Sequence, residues 1–346
     1  MSQHSQESSL LSRIPDSVQG LGHGLLISAV LAVAARFLSD HYGAPAMLMA
    51  LLLGMAFNFL AEEGRCVPGI EFCARTVLRM GVALLGMRIS LDILIDLGPE
   101  LIALVVGGVI ATILFGLLGA RLLGRGWRIA LVSGGAVAIC GASAAMAIAA
   151  ILPRNQHSER TLLFTVLSVT LLSTIAMIAY PLISNVFQMD DKAAGVFIGG
   201  TIHDVAQVVG AGFSISEEAG ETATLVKLIR VSMLAPVVLV FALLTRNLGE
   251  PDQRATERPP LIPSFILAFL VLVAINSTGV VPAWLSSFVS DISRWALLIA
   301  IAAVGMKTSL RRIADIPGQS IVLIVAETLF IVVFILAGMH LLNQTV

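Results

Sequence analysis

The sequence predicts an all-α integral membrane protein of about nine transmembrane helices plus two glycine-broken or re-entrant segments, eleven apolar segments in all. Three observations carry that expectation. Hydrophobic residues make up 57 % of the 346 and charged residues only 12 %, with a mean hydropathy of +0.95, far from the roughly 25 % charged share of a soluble domain. The apolar residues gather in windows close to the ~20 residues that cross a bilayer. Two of those windows, 129–152 and 193–214, are interrupted by glycines at points where polar residues also fall.

Taken in order, residues 1–20 are polar, include Pro15 and Asp16, and lack the basic start and short apolar core of a signal peptide. They read as a cytoplasmic tail ahead of one transmembrane domain, 21–346. Clear apolar segments follow at 21–39, 45–60, 72–90, 99–120, 161–187, 222–245, 261–279, 293–307 and 317–342. Basic residues cluster at Arg121, Arg125 and Arg128, at Arg246, Arg254 and Arg258, and at Lys307, Arg311 and Arg312, while connections 91–100, 214–221 and 280–292 have none. The positive-inside rule puts the first group in the cytoplasm and the second outside, so the N-terminus lies inside and the C-terminus outside. Each broken segment can cross the membrane or dip in and return. Loop 153–160 carries Arg154, His157 and Arg160, whereas 188–192 carries one Lys and two Asp, which favours hairpins: 129–152 entering from the cytoplasm and 193–214 from outside. At ~1.5 Å per residue each arm reaches about the midplane, with tips at Cys140–Ser143 and at His203–Asp204.

An internal repeat links the two ends of the chain. Pro45 and Asn58 recur as Pro263 and Asn276 at a spacing of 218, the Gly86–Leu91 run returns as Gly305–Leu310 at 219, and Pro99 recurs as Pro317. In this topology the matched pairs run in opposite directions, making inverted repeats of 21–120 and 222–342 with the broken segments and helix 161–187 between them. That pattern is the signature of secondary transporters.

The breaks also locate candidate chemistry. Unpaired backbone in hydrocarbon costs several kcal/mol and survives only where protein or a wet cavity covers it, so a broken apolar segment points to a binding site. The candidate substrate-binding residues are Gly134, Gly135, Cys140, Gly141 and Ser143 in the first break and Gly199, Gly200, Thr201 and Gln207 in the second. Where a helix restarts its first amides favour an anion, so Ser143–Ala145 or Val205–Gln207 could cradle an oxyanion. Gly107, Gly108, Gly116 and Gly119 read instead as close helix packing. His203 and Asp204 are ionisable groups inside the membrane and candidate coupling residues. An aspartate repels a dianion, so its expected work is proton or cation binding, or fixing the tautomer of His203. Lys227 and Arg230, three apart on one face, either line an anion vestibule or snorkel to the interface; Arg88 and Lys307 snorkel. Glu327, ten residues into its segment, is a further coupling candidate: a proton site, or half of an ion pair needing a partner such as Arg79 or Arg88.

Several rival classes are weaker. A net charge of −1 offers no basic surface for nucleic acid. Cys66, Cys73 and Cys140 make neither a disulfide framework nor a zinc site, and no cofactor or metal is expected. Without His-Glu-x-x-His, Gly-x-Ser-x-Gly or a Walker motif, neither an enzyme nor an ATP-driven pump is expected, and no segment has the regular polar lining of a channel. The expected partners are a small anion and the lipid bilayer; a homo-oligomer is compatible with the sequence.

The runs Leu78–Arg88, Gly134–Ala145, Gly199–Val208 and Val226–Arg230 resemble the YeiH-type sulfate exporter family, over essentially all of the chain after the tail. The resemblance implies a multi-pass protein of the bacterial inner membrane, with a periplasmic C-terminus, that exports a sulfate-like or sulfonate-related anion. "Sulfate" comes from that resemblance; the residues themselves point to a secondary transporter of a small anion, with proton coupling as a hypothesis. The alternatives are an ion-coupled symporter of an organic anion, an anion channel, or an intramembrane enzyme.

Overall fold

The computed structural model describes residues 16–88, 91–153, 158–245, 263–308 and 318–342. Most of the 1–20 tail, Arg154, His157, Arg246, Arg254, Arg258, Arg311, Arg312, and the repeat positions Ile89, Ser90, Ser309, Leu310 and Pro317 lie outside the described residues.

Helix α1 spans Asp16–Tyr42. Pro45, extended at φ −58° and ψ 127°, opens α2, Ala46–Ala56, which gives way to a 3-10 turn at Asn58–Ala61. Helix α3, Val67–Phe72, runs through a π-helical turn, Cys73–Val77, into α4, Leu78–Leu85. Helix α5, Leu91–Leu122, kinks at Gly98, whose φ of 78° suits glycine, immediately before Pro99. The first broken segment is α6, Trp127–Ala138, and α7, Ala142–Ile151. After α8, Ser158–Val186, comes the second, α9, Asp191–Thr201, and α10, Val205–Phe213. Helices α11, Glu217–Ser232, and α12, Leu234–Thr245, precede α13, Ser264–Ser277, α14, Ala283–Lys307, and α15, Gly318–Leu341. No strand occurs among the described residues.

Among the described residues six helical stretches are long and apolar enough to cross a membrane, where nine transmembrane helices were expected: Gly20–Tyr42, Leu97–Leu122, Arg160–Val186, Glu217–Thr245, Trp284–Lys307 and Ile321–Leu341. The difference lies in three segments. The 11 residues of α2 and the 14 of α13 reach about 16 and 21 Å, short of a ~30 Å hydrocarbon core. Segment 72–90 is divided by the π-helical turn. The proline at the head of α2 and of α13 fixes where each helix begins, and hydropathy alone does not show where it stops.

The chain forms two compact units, one made of Met1–Gly81 with Ser293–Ser309 and the other of Val82–Ile292 with Leu310–Val346. In the first, α1 packs on α2 and α3, Gly54 of α2 lies against Gly305 of α14, and Asn58 Nδ2 donates to Met306 O at 2.7 Å. A Cβ on Gly305 would fall 2.5 Å from the Leu51 carbonyl oxygen. In the second unit a Cβ on Gly86 would fall 2.5 Å from the Phe269 carbonyl oxygen. Leu51 and Phe269 share the spacing of 218, and Gly86 and Gly305 that of 219, seen in the sequence, and the two contacts have the same form with the partners exchanged.

The second unit holds both broken segments, and each turns back on itself. A side chain on Gly135 of α6 would run into Ile148 of α7, thirteen residues later, where a straight helix would hold them ~20 Å apart. Gly195 of α9 and Gly212 of α10 both abut the Ala219 carbonyl of α11. Helix α15 packs against α5, α6, α8 and α9, and α11 covers α9 and α10.

Candidate functional site

The two breaks differ in how they end one helix and start the next. After α6, Ile139 leaves the helical region (φ −106°, ψ −85°) and Gly141 takes φ 64°, a conformation side chains resist, with no side-chain cap on α7. After α9, Ile202 is extended, and Asp204 caps α10 by accepting from Ala206 N at 2.8 Å. Ser173 Oγ of α8 receives the amides of His203 (3.2 Å) and Asp204 (3.1 Å), and Gln207 Nε2 donates to Thr174 Oγ1 at 2.8 Å. The tips touch: a Cβ on Gly141 would sit 3.6 Å from His203 Cβ.

Two basic side chains from α11 pin those tips together. Lys227 Nζ donates to Ile139 O (2.6 Å) and Ile202 O (3.0 Å). Arg230 donates from Nε to Ala138 O (2.8 Å), from one terminal nitrogen to Gly199 O (3.0 Å) and Ile202 O (2.9 Å), and from the other to Val137 O (2.7 Å). All five carbonyls belong to the C-terminal ends of α6 and α9, where the last turn has no helical donors and the dipole is negative. Lys227 and Arg230 are 0 % and 1 % exposed. Neither snorkels, and a vestibule lining gives way to a buried clip, because the orphaned carbonyls draw the cations inward. Among the described residues, two of three ammonium hydrogens and four of five guanidinium hydrogens are committed, leaving one of each.

The sequence-picked glycines divide sharply. Gly141 sits at a break. Gly134, Gly135, Gly199 and Gly200 lie inside α6 and α9, where an added Cβ would meet Ile113, Ile148, Val226 and Ile335 respectively. The helices continue through them to Ala138 and Thr201. Thr201 Oγ1 donates within its own helix to Phe197 O, and Cys140 is buried. Ser143 is exposed in the first turn of α7, at the restart without a cap. At the other restart, Val205–Gln207, the Asp204 carboxylate already accepts from the Ala206 amide.

Glu327 of α15 is fully buried. Ser133 Oγ of α6 donates to its Oε1 at 2.9 Å, whereas Oε2 has no partner among the described residues. The expected basic partner is not Arg88, whose guanidinium bonds Glu217 and Glu221 at 2.6 Å each. Gly116, expected to be a plain packing residue, clears the space for this carboxyl: a Cβ there would collide with Oε1. The next residue, Thr328, gives its hydroxyl hydrogen to Ile324 O, so at 3.0 Å it accepts from His203 Nε2, which therefore carries the hydrogen. Sequence reasoning missed Ser133, Ser173, Thr174 and Thr328; the available signal was hydroxyls inside otherwise apolar helices, beside Gly134 and Glu327.

The open end of the α6–α7 hairpin forms a cavity of about 220 Å³ lined in part by Arg125, Trp127, Arg128, Leu152, Ser158 and Thr161. The Arg128 guanidinium lies 4.8 Å from the Trp127 ring centre. No group of three His, Cys, Asp or Glu lies at metal-holding distance among the described residues.

Comparison with known proteins agrees with the sequence motifs. Residues 23–324 match the family described as Conserved hypothetical protein 698. The UPF0324 membrane protein RB0971 of Rhizobium meliloti is 66 % identical over 324 residues, 94 % of each chain. The UPF0324 membrane protein TauZ of Paracoccus denitrificans is 64 % identical over 92 % of this chain and 95 % of its own. CT0845 of Chlorobaculum tepidum is 53 % identical over 91 % and 88 %. Such coverage leaves no large part of the described fold outside the likeness: the chain belongs to the UPF0324 family of multi-pass membrane proteins, the family that the YeiH-type motifs resemble.

Proposed function

We propose that this protein is a secondary transporter of a small anion, sulfate-like or sulfonate-related, which it exports across the bacterial inner membrane with the N-terminus cytoplasmic and the C-terminus periplasmic. The observation that carries the reading is the meeting of two hairpin tips whose helix ends are held by Lys227 and Arg230. Irregular backbone deep in an apolar protein is the binding-site construction of secondary transporters, and the exchanged glycine contacts at Gly305 and Gly86 support inverted repeats.

The polarity of the site favours an anion. Helix α7 restarts without a carboxylate cap, the buried Cys140 sulfur meeting only the Ala144 amide, whereas Asp204 caps α10, and among the described residues two buried cations each keep one uncommitted donor. An oxyanion on α7 would gain the amides and the positive end of the dipole together. The arginines at the hairpin mouth draw anions toward the same hairpin. His203, Asp204 and Glu327 are the proposed coupling groups. Thermal-shift and calorimetric titration of the purified protein with sulfate, sulfite and taurine tests the reading. Stabilisation by at least one of these, weakened in Lys227→Met, is expected; stabilisation only by cations or neutral solutes would overturn the anion assignment.

A further inference from the structure

We propose that the coupling ion is a proton carried by Glu327, and that the seat a metal cation would use at the hairpin tips is permanently filled by Lys227 and Arg230. This rests on the transporter reading only in calling the proton a coupling ion; the proton site itself stands on geometry.

Transporters with broken helices coordinate sodium or protons by unwound carbonyls and half-helix C-terminal ends. Here those groups are Val137, Ala138, Ile139, Gly199 and Ile202, and every one already accepts from a tethered cation. A metal ion seated on those carbonyls would have to share or displace Lys227 and Arg230.

Glu327 offers another place and restricts the ligand. Its carboxyl has Ser133 on one oxygen and no partner on the other among the described residues. Gly116 and Gly134 close in so tightly that one added carbon on Gly116 would strike the carboxyl. A hard metal cation needs about six or more oxygen ligands; one carboxyl and one hydroxyl in so small a space suit a proton. Among the described side chains, the elements packed on α15 carry charges at Glu100 and Arg121 on α5, Arg128 on α6, Arg160 on α8, and Asp191 and Lys192 on α9.

The position also explains how a proton would be felt at the tips. Ser133 lies one turn before Val137, whose carbonyl Arg230 holds, and Thr328, the neighbour of Glu327, accepts from His203 at the other tip. Gain or loss of the proton changes the Ser133 bond, so a single residue step on α15 reaches both hairpins.

The test uses purified protein in lipid vesicles. Infrared difference spectra between alkaline and acidic buffer should show a protonated-carboxyl band in the wild type that is missing in Glu327→Gln; the same band in both would overturn the site. If Glu327→Gln does not fold, Ser133→Ala keeps the carboxyl and removes its donor, and must shift the band; an unshifted band would overturn it equally. For coupling, Glu327→Gln should retain counterflow of labelled sulfate or taurine while losing accumulation driven by a pH gradient. Replacing sodium by choline at constant ionic strength should leave wild-type accumulation unchanged, and sodium-driven accumulation would refute the filled-seat argument. Absence of all counterflow in the wild type would sink the transporter reading, with the infrared band still deciding the proton site.

Discussion

Replacing Arg230 with methionine removes the group that ties the end of α6 to the end of α9. Four hydrogen bonds go, from Nε and both terminal nitrogens to Val137, Ala138, Gly199 and Ile202. Bonds from a charged donor contribute about 1.5–3 kcal/mol each, but the carbonyls relax together, and truncating one side of a buried charged network costs about 3–5 kcal/mol. Lys227→Met is the internal comparison. It removes two bonds and orphans only Ile139 O, because Ile202 O keeps Arg230; about 1.5–3 kcal/mol is expected. Unfolding in mixed micelles, titrated with denaturing detergent and followed by the fluorescence of the three tryptophans, measures both. Arg230→Met should be the more destabilised by about 2 kcal/mol, the difference between those two ranges, with Arg230→Lys in between. Equal losses, or a larger loss in Lys227→Met, would refute the clip.

Gly116→Ala should destabilise by about 1–3 kcal/mol by driving Cβ into the Glu327 carboxyl, whereas Gly107→Ala, with nothing nearer than 3.9 Å, should be neutral or slightly stabilising in the same unfolding assay. Thr328→Val leaves His203 Nε2–H without its acceptor and should cost about 1–3 kcal/mol; Thr328→Ser should restore most of it, and equal losses in both would contradict the assigned tautomer. In a cysteine-free background, a cysteine at His157 should be labelled only from the cytoplasm and one at Asp190 only from outside, and the reverse pattern would contradict the proposed insertion of the two hairpins.

The sequence located the breaks well and their internal chemistry poorly, for a physical reason. Gly141 and the His203–Asp204 pair interrupt apolar runs, and such interruptions are visible to hydropathy. The partners of Lys227 and Arg230 are backbone carbonyls, which every residue carries, so nothing in the side-chain pattern announces them. Ser133 and Glu327 lie 194 residues apart, and only the packing of α15 on α6 joins them. Glycine is ambiguous in the same way: Gly134, Gly135, Gly199 and Gly200 are small for helix contact, Gly141 for its φ of 64°, and Gly116 for a carboxyl on another helix. The short reach of α2 and α13 followed from where their helices stop, a property of capping and packing rather than of apolar composition.

The central claim, transport of a small anion, is tested most directly by flux in reconstituted vesicles. Radiolabelled sulfate, sulfite and taurine, each measured with and without an imposed pH gradient, should reveal at least one anion moved by the wild-type protein and accelerated by the gradient, with the acceleration absent in Glu327→Gln. Flux of none of the three above protein-free vesicles, or selective movement of cations or neutral solutes instead, would contradict the account.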